Sequence, residues 1–194
     1  MNLRPALART TGTLALTGLL LAPSTHSQAV TVLPTPPVLD NKAYVLMDHD
    51  SGQILAAVNP DQELPPASMT KMMTSYLIEQ RLMHGQLRED EPVRMNESAW
   101  CRGSSSESCM YVPLNGTATV LQMLRGIVIQ SGNDASIAIA DYVAGSQDAF
   151  VSLMNGYAQK MGLTNTTFMT VHGLDAPGQF STARDMALLT KAMI

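Results

Sequence analysis

Ser68 and Lys71 are the two residues of this sequence whose types and spacing best suit nucleophilic chemistry. On a helix, residues three apart lie on one face, so the hydroxyl and the amine would be neighbours. Met69, Met72 and Met73 flank the lysine, and an apolar setting lowers the pKa of an amine. A neutral Lys71 could then take the proton of Ser68, so the pair predicts a serine nucleophile with its own general base.

The Ser-x-x-Lys spacing alone is weak evidence, because it is expected by chance about once in 250 residues. An exposed surface pair is the common explanation of such a spacing. Here the pair follows Pro65 and Pro66 and opens a predicted helix over about residues 68–84. The positive end of a helix dipole favours developing negative charge on the serine oxygen. The position of the pair therefore favours chemistry more than its spacing does.

Ser131-Gly132-Asn133, hereafter the Ser-Gly-Asn turn, interrupts two apolar helical patterns at residues 120–130 and 134–144. A loop between buried helices can project a hydroxyl and a carboxamide into a cleft, and glycine permits a tight backbone. Taken alone, a helix-capping serine explains the motif as well. Together and in this order, the two motifs match the Ser-x-x-Lys and Ser-x-Asn set of penicillin-binding proteins and β-lactamases.

The chain resembles the low-molecular-mass penicillin-binding proteins, which are serine-type D-alanyl-D-alanine carboxypeptidases of peptidase family S11. The resemblance extends from about Tyr44 to Ile194. The stretches that carry it are residues 67–74, 130–135, 144–150 and 170–179.

The resemblance implies a role for each candidate site residue. Ser68 would attack the carbonyl between two D-alanines and form an acyl-enzyme, with Lys71 as the general base and the Ser68 N–H as one oxyanion donor. Ser131 would relay a proton to the departing D-alanine, and Asn133 would bind the substrate amide or hold Lys71. His172 would border the cleft, where a structural hydrogen bond is favoured over a catalytic role because the pair already supplies a base.

The fold implied is α/β (α+β) of the serine β-lactamase and transpeptidase type, an antiparallel sheet beside a helical subdomain with the active site between them. Periodicity and turn signals predict a hairpin, a helix after Pro66, a short strand and several further helices. The predicted elements are strands at residues 43–48 and 53–58, a strand near Val93, and helices at 68–84, 120–130 (a buried helix), 134–144, 146–161 capped by Ser146, and a last one capped by Ser181.

Two segments precede the predicted domain. Residues 1–29 have a basic start, an apolar stretch at 14–22 and a small-x-small site at Ser27-Gln28-Ala29, the layout of a secretory signal peptide, with a short N-terminal anchor as the alternative. Residues 30–42 are proline-rich and predict an extended leader. The resemblance implies that residues 43–194 are the N-terminal part of a penicillin-recognising catalytic domain. We expect an exported protein in the periplasm, facing the inner membrane.

The Lys-Thr-Gly motif of the family occurs nowhere in these 194 residues. That motif, the remaining strands, the C-terminal β-domain and the amphipathic membrane anchor are expected beyond Ile194. Contact with the inner-membrane surface is expected only through that anchor. We expect the chain alone to be poorly stable and nearly inactive, because an uncovered sheet edge invites aggregation.

The function implied is removal of the terminal D-alanine from peptidoglycan stem pentapeptides, with inhibition by penicillins and no cofactor. Two alternatives stay open. A β-lactamase is disfavoured because the sequence after Thr170 offers no glutamate to hold a deacylating water. A truncated, non-catalytic remnant or fragment is the other alternative.

Charge and cysteine content limit the kinds of partner and metal that we expect the protein to bind. Without residues 1–29 the chain has 10 basic and 16 acidic residues, a net charge of −6 that argues against a nucleic-acid partner. Cys101 and Cys109 could form a disulfide in an oxidising compartment or remain free thiols. No histidine lies at ligand spacing from either cysteine, so no metal site is predicted.

Overall fold

The computed structural model describes residues 35–36, 38–102 and 107–194. The predicted signal peptide at residues 1–29 lies outside the described residues, as do residues 30–34 and 37 of the predicted leader.

Helices dominate the described part of the chain, and short strands lie at its start and middle. The elements in chain order are β1 (Tyr44–Met47), β2 (Ile54–Val58), a 3-10 turn (Ala67–Met69), α1 (Thr70–Met83), β3 (Pro92–Arg94), β4 (Thr117–Thr119), α2 (Val120–Gln130), α3 (Asn133–Ala144), α4 (Gln147–Lys160) and α5 (Ala183–Met193).

Both sheets of the described part are two-stranded and antiparallel. In the first, β1 pairs with β2 and Tyr44 lies opposite Val58, which confirms the predicted hairpin. In the second, β3 pairs with β4 and Val93 lies opposite Ala118. The strand near Val93 was predicted, but β4 was not, because three residues that run directly into α2 give no strand signal of their own.

Most helix ends lie within one residue of the sequence signals, although the helix predicted from residue 68 begins as α1 only at Thr70, after the 3-10 turn. Ser146 caps α4, since its hydroxyl accepts a hydrogen bond from the N–H of Ala149. The predicted cap of the last helix at Ser181 is wrong by one residue, because the side chain of Thr182 accepts from Asp185 and caps α5. Ser181 instead exchanges two backbone hydrogen bonds with Leu64 in a β-bridge.

The core of the described residues is assembled mainly from one face of each helix. α3 is its centre and packs on α1, α2 and α4. The prediction of a buried helix at residues 120–130 holds for only one face of α2: Met123 and Ile127 are buried, whereas Val128 and Ile129 are exposed. The largest fully buried side chains include Phe150, Phe168, Met73, Leu77, Ile78, Met95, Met123, Ile139, Met154 and Leu189.

The described helices are also too short or too polar to cross a lipid bilayer.

Candidate active site

Ser68 lies in the 3-10 turn that leads into α1, not in the first turn of the α-helix itself. The residue is exposed at the surface, where a substrate can reach its hydroxyl. Lys71 lies in the first turn of α1, and its Nζ donates a hydrogen bond to the Oγ of Ser68 over 3.3 Å. The hydroxyl of Ser68 and the amine of Lys71 are therefore neighbours, as their spacing predicts.

Lys71 is almost fully enclosed, with 4% of its surface exposed. Its Nζ makes a second hydrogen bond, to the backbone carbonyl of His172 at 2.6 Å. No carboxylate pairs with Lys71 among the described residues, and burial lowers the pKa of its amine to about 8. At pH 7 about a tenth of Lys71 can therefore be neutral and act as a base, far more than for an ordinary lysine.

The carbonyl that holds Lys71 belongs to a rigid loop at residues 170–179, hereafter the His172 loop. The side chain of Gln179 braces it, because its Oε1 accepts from the N–H and the hydroxyl of Thr170 at 3.0 and 2.9 Å and its Nε2 donates to the carbonyl of Leu174 at 2.9 Å. Sequence reasoning did not single out Gln179, because a buried bracing amide has no local pattern.

The His172 loop is also fixed directly to the start of α1. The hydroxyl of Thr74 donates to the carbonyl of Val171 at 2.7 Å. Gly173 has a φ of +93°, and a Cβ at this position would overlap the backbone carbonyl of Ala67. Only glycine fits this approach, so the loop carries the His172 carbonyl to Lys71 in one geometry.

The imidazole of His172 takes no part in the contact with Lys71. Its Nδ1 accepts a hydrogen bond from the N–H of Leu174 at 3.1 Å. Burial, and to a smaller degree the nearby positive charge of Lys71, lowers the pKa of His172 to about 4, so the ring is neutral at physiological pH. The imidazole of His172 thus makes its hydrogen bond within its own loop.

The Ser-Gly-Asn turn joins α2 to α3 on the other side of the site. Ser131 ends α2 in the left-handed conformation with φ of +52°, and its hydroxyl is buried without a hydrogen-bond partner in the described part of the chain. Asn133 is the first residue of α3 and is 5% exposed. Burying a hydroxyl without a hydrogen-bond partner costs free energy, unless another group supplies that hydrogen bond.

One cleft of about 350 Å³ brings three of the predicted site residues together, namely Ser68, Asn133 and His172. Lys71 lies behind Ser68 and Ser131 lies outside the lining of the cleft. The hydrogen bonds of Lys71 go to Ser68 and His172, so Asn133 does not hold the lysine here. The remaining lining residues are Ala67, Glu107, Ser108, Gly173, Leu174 and Asp175.

Cys101 and Cys109 form a disulfide, with their Cα atoms 6.3 Å apart, which decides between the two alternatives left open by the sequence. The two neighbours of Cys109 in the chain bond the Ser-Gly-Asn turn and the residue after it. The carbonyl of Ser108 accepts from the N–H of Asn133 at 2.8 Å, and the N–H of Met110 donates to Asp134 at 2.7 Å. No local pattern in the sequence indicates this contact between distant segments.

Comparison with known proteins gives one consistent family. The sequence model described as D-alanyl-D-alanine carboxypeptidase matches residues 30–194. The D-alanyl-D-alanine carboxypeptidase DacC of Escherichia coli (strain K12) is 52% identical over 178 residues, which are 90% of this chain and 44% of that protein. The chain thus spans less than half the length of this curated relative.

Solved structures agree with the sequence comparison. Penicillin binding protein 5 from Haemophilus influenzae superposes with a TM-score of 0.80 at 46% identity, over 82% of this chain and 46% of that chain. Penicillin-Binding Protein D2 from Listeria monocytogenes, solved in its cefotaxime-bound form, gives a TM-score of 0.73 at 27% identity, over 83% of this chain and 64% of that chain. These likenesses confirm the predicted fold class, a mixed helical and antiparallel-sheet architecture of the penicillin-binding protein type.

Proposed function

The chain belongs to the D-alanyl-D-alanine carboxypeptidase family, and on that premise we propose that it removes the terminal D-alanine of peptidoglycan stem pentapeptides through an acyl-enzyme. The observation that carries the proposal is the pairing of Lys71 Nζ with Ser68 Oγ at 3.3 Å at the edge of an open cleft. A buried amine whose pKa is lowered to about 8 is suited to take a hydroxyl proton near neutral pH.

Acylation begins when neutral Lys71 accepts the proton of Ser68 as the serine oxygen attacks the carbonyl of the penultimate D-alanine. The backbone N–H of Ser68 donates to the oxyanion that forms. Collapse of this intermediate breaks the C–N bond and leaves an ester on Ser68. Protonated Lys71 gives up the proton it took from Ser68, which we assign to relay through the hydroxyl of Ser131 to the departing nitrogen. The product leaves as free D-alanine, and Lys71 is neutral again.

Deacylation reverses these roles. A water molecule attacks the ester, Lys71 accepts the proton of the water, and the serine oxygen recovers a proton as it leaves. We assign Asn133 to the substrate amide, because its side chain lines the cleft beside Ser68 while Lys71 is already held by His172. His172 contributes its carbonyl as the acceptor that orients Lys71.

We infer that β-lactams inhibit the protein by acylating Ser68. A β-lactam presents a strained amide to the same nucleophile, and its ring opens without releasing a leaving group that frees the cleft. The cefotaxime-bound form of the Listeria monocytogenes relative supports this inference.

We further propose that the protein works outside the cytoplasm, in the periplasm. The predicted signal peptide at residues 1–29 and the disulfide between Cys101 and Cys109 support export, because disulfides persist in oxidising compartments. Placement beside the inner membrane rests on the resemblance alone. The intact mass of the protein recovered from a periplasmic fraction should correspond to a start at Val30; a mass that retains Met1 contradicts cleavage.

The test of the proposed function is active-site labelling combined with a product assay. The purified full-length protein is incubated with a fluorescent penicillin, digested and analysed by mass spectrometry, and D-alanine release from a stem pentapeptide is followed in parallel. We expect the label on Ser68, and both activities absent in Ser68→Ala. Labelling of Ser68→Ala at the wild-type rate refutes the nucleophile. Rapid hydrolysis of the penicillin without D-alanine release would instead support the β-lactamase alternative.

A further inference from the structure

Asp134 is a buried carboxylate beside Asn133 at the start of α3, with 1% of its surface exposed. Its Oδ1 accepts hydrogen bonds from the N–H groups of Met110 at 2.7 Å and Ala135 at 2.8 Å, and its Oδ2 accepts from the N–H of Tyr111 at 2.8 Å. A carboxylate that accepts several N–H donors makes strong, geometrically specific bonds. Asp134 therefore ties its own helix to a segment 24 positions away.

That segment, residues 108–111, is hereafter the clamp segment, and it also bonds the Ser-Gly-Asn turn directly. The N–H of Asn133 donates to the carbonyl of Ser108 at 2.8 Å. The hydroxyl of Ser108 donates to the carbonyl of Gln130, the last residue of α2. The clamp segment is thus hydrogen-bonded to Gln130, just before Ser131, and to Asn133, two residues after it.

Gly132 shows how closely the turn lies against the clamp segment. A Cβ built on Gly132 would lie 3.0 Å from Oδ1 of Asp134 and 3.2 Å from the backbone nitrogen of Met110. Nothing larger than glycine fits between the turn and its two holders without displacing them. The position of the carboxylate therefore determines the path of the backbone from Ser131 to Asn133.

Ser131 needs this support, because the left-handed conformation is strained for a residue other than glycine. Such a conformation persists only where surrounding contacts over-determine it. Ser108 and Asn133 line the cleft together with Ser68. Any movement of the clamp segment would shift the hydroxyl of Ser131 and the carboxamide of Asn133 relative to the nucleophile.

We propose that Asp134 is a positioning residue for acylation, which acts through the clamp segment and never touches the substrate. The inference rests on the proposed function. Losing the carboxylate should leave the Ser-Lys pair intact and misplace the turn that faces it. A displacement of about 1 Å in a group that assists the chemistry can lower the rate about 100-fold.

The test compares Asp134→Asn with a matched control, Asp185→Asn. Asn keeps the shape and one acceptor oxygen but turns an NH₂ group toward one of the backbone donors. Asp185 is likewise 1% exposed and in the first turn of a helix, where it accepts from the N–H of Asn165 and the hydroxyl of Thr166. Unlike Asp134, which follows the cleft-lining Asn133, Asp185 and its two partners have no cleft-lining neighbour in the chain. Both variants should therefore lose stability, and only one should lose acylation.

The readouts are the melting temperature and the acylation of Ser68 by fluorescent penicillin at several concentrations, normalised to folded protein. We expect Asp134→Asn to lower the maximal acylation rate about 10- to 100-fold while the half-saturating concentration changes little. Asp185→Asn should acylate within about twofold of the wild type. Amide hydrogen exchange of Met110 and Tyr111 should accelerate in Asp134→Asn only.

Ser108→Ala is a second variant that keeps the inference testable if Asp134→Asn does not fold. Ser108 is exposed, so its loss should leave the melting temperature nearly unchanged while the hydrogen bond to Gln130 disappears. We expect a maximal acylation rate lowered about threefold to tenfold, of the size of one lost hydrogen bond.

Each outcome bears on one of the two claims. Absence of labelling in the wild type overturns the proposed function and this inference with it. If the wild type is labelled on Ser68 and Asp134→Asn is labelled at the same maximal rate, only the inference falls. Equal losses of acylation in Asp134→Asn and Asp185→Asn, or an unchanged maximal rate in Ser108→Ala, also overturn it.

Discussion

Lys71 reaches its partner Ser68 across three positions of the chain, whereas Asp134 on the opposite side of the cleft reaches Met110 across 24. The Ser-Lys pair owes its geometry to one helical turn. The Ser-Gly-Asn turn owes its geometry to the clamp segment, to the carboxylate of Asp134 and to the absence of a side chain at Gly132. In our proposal the Ser-Lys pair transfers the proton, and the Ser-Gly-Asn turn aligns its own side chains with the nucleophile.

This difference teaches that the two sides should fail in different ways. Damage to the Ser-Lys pair removes the base or the nucleophile and leaves the fold intact. Damage to the Ser-Gly-Asn turn leaves the base in place and slows the reaction by misalignment. Even the pair has one distant contact, because the His172 loop supplies the carbonyl that holds Lys71.

After loss of the nucleophile itself, the largest effect on rate is expected for Lys71→Ala, because a positioned general base contributes about 10²- to 10⁴-fold to a reaction. Acylation of Ser68 by fluorescent penicillin should fall about 10³-fold while the protein remains folded. Lys71→Arg is the matched control, since arginine keeps the positive charge but cannot lose its proton. Equal inactivity of both variants identifies the lost function as proton transfer. Substantial activity in Lys71→Arg would show that charge alone suffices.

Gly173→Ala should produce the largest loss of stability, because the new Cβ would meet the carbonyl of Ala67 and the residue would remain at positive φ. We expect a destabilisation of roughly 3 kcal/mol from overpacking and strain combined, measured by urea unfolding. Gly178→Ala in the same loop is the control: it also has positive φ but has open space around it. It should lose only about 1 kcal/mol. Equal losses would refute the close approach.

Removing the disulfide with Cys101→Ser and Cys109→Ser should have a moderate effect on stability and a smaller one on rate. Closing a short loop stabilises a protein by about 2–3 kcal/mol in the chain-entropy model. Cys109 lies inside the clamp segment, so acylation should also slow a few-fold. Dithiothreitol should reproduce both effects in the wild type and none in the double variant. An unchanged unfolding midpoint after reduction would contradict the structural role of this bond.

The smallest effect in free energy is expected for His172→Asn, because the backbone carbonyl that holds Lys71 is retained. The side-chain oxygen of asparagine can accept the Leu174 N–H that the imidazole accepts in the wild type. Acylation should fall by about threefold to tenfold, the effect of one weakened hydrogen bond. A loss near 10³-fold, measured by the same labelling assay, would give the imidazole a catalytic role.

The comparison of the two sides also explains what the sequence could predict. Ser68, Lys71, the hairpin and the bounds of α2 and α3 follow from local spacing, periodicity and turn residues. Sequence reasoning could not predict the partner strand β4, the bracing hydrogen bonds of Gln179, or the hydrogen bonds between the clamp segment and Asp134. Each depends on a contact between segments that are distant in the chain. A short stretch of sequence does not indicate which distant segment it will contact.

The capping error at Ser181 has the same origin. Ser181 and Thr182 are equally good caps by residue type, and the β-bridge between Ser181 and Leu64 decides between them. The disulfide is a further case, since the types and spacing of Cys101 and Cys109 permit a bond that only the folded geometry decides. The local sequence indicates which residues could cap a helix or form a disulfide, and contacts between distant segments decide which of them do.

The pH dependence of Ser68 acylation tests the account's central claim most directly. Burial lowers the pKa of Lys71 to about 8, so the active neutral amine increases as pH rises through 8 and then saturates, while His172, with a pKa of about 4, stays neutral throughout. The second-order acylation constant, measured from pH 6 to pH 10 with fluorescent penicillin, should rise about tenfold per unit below pH 8 and reach a plateau above it. A constant that is flat over this range, or one that keeps rising toward the ordinary lysine pKa near 10.4, would contradict a buried lysine as the base.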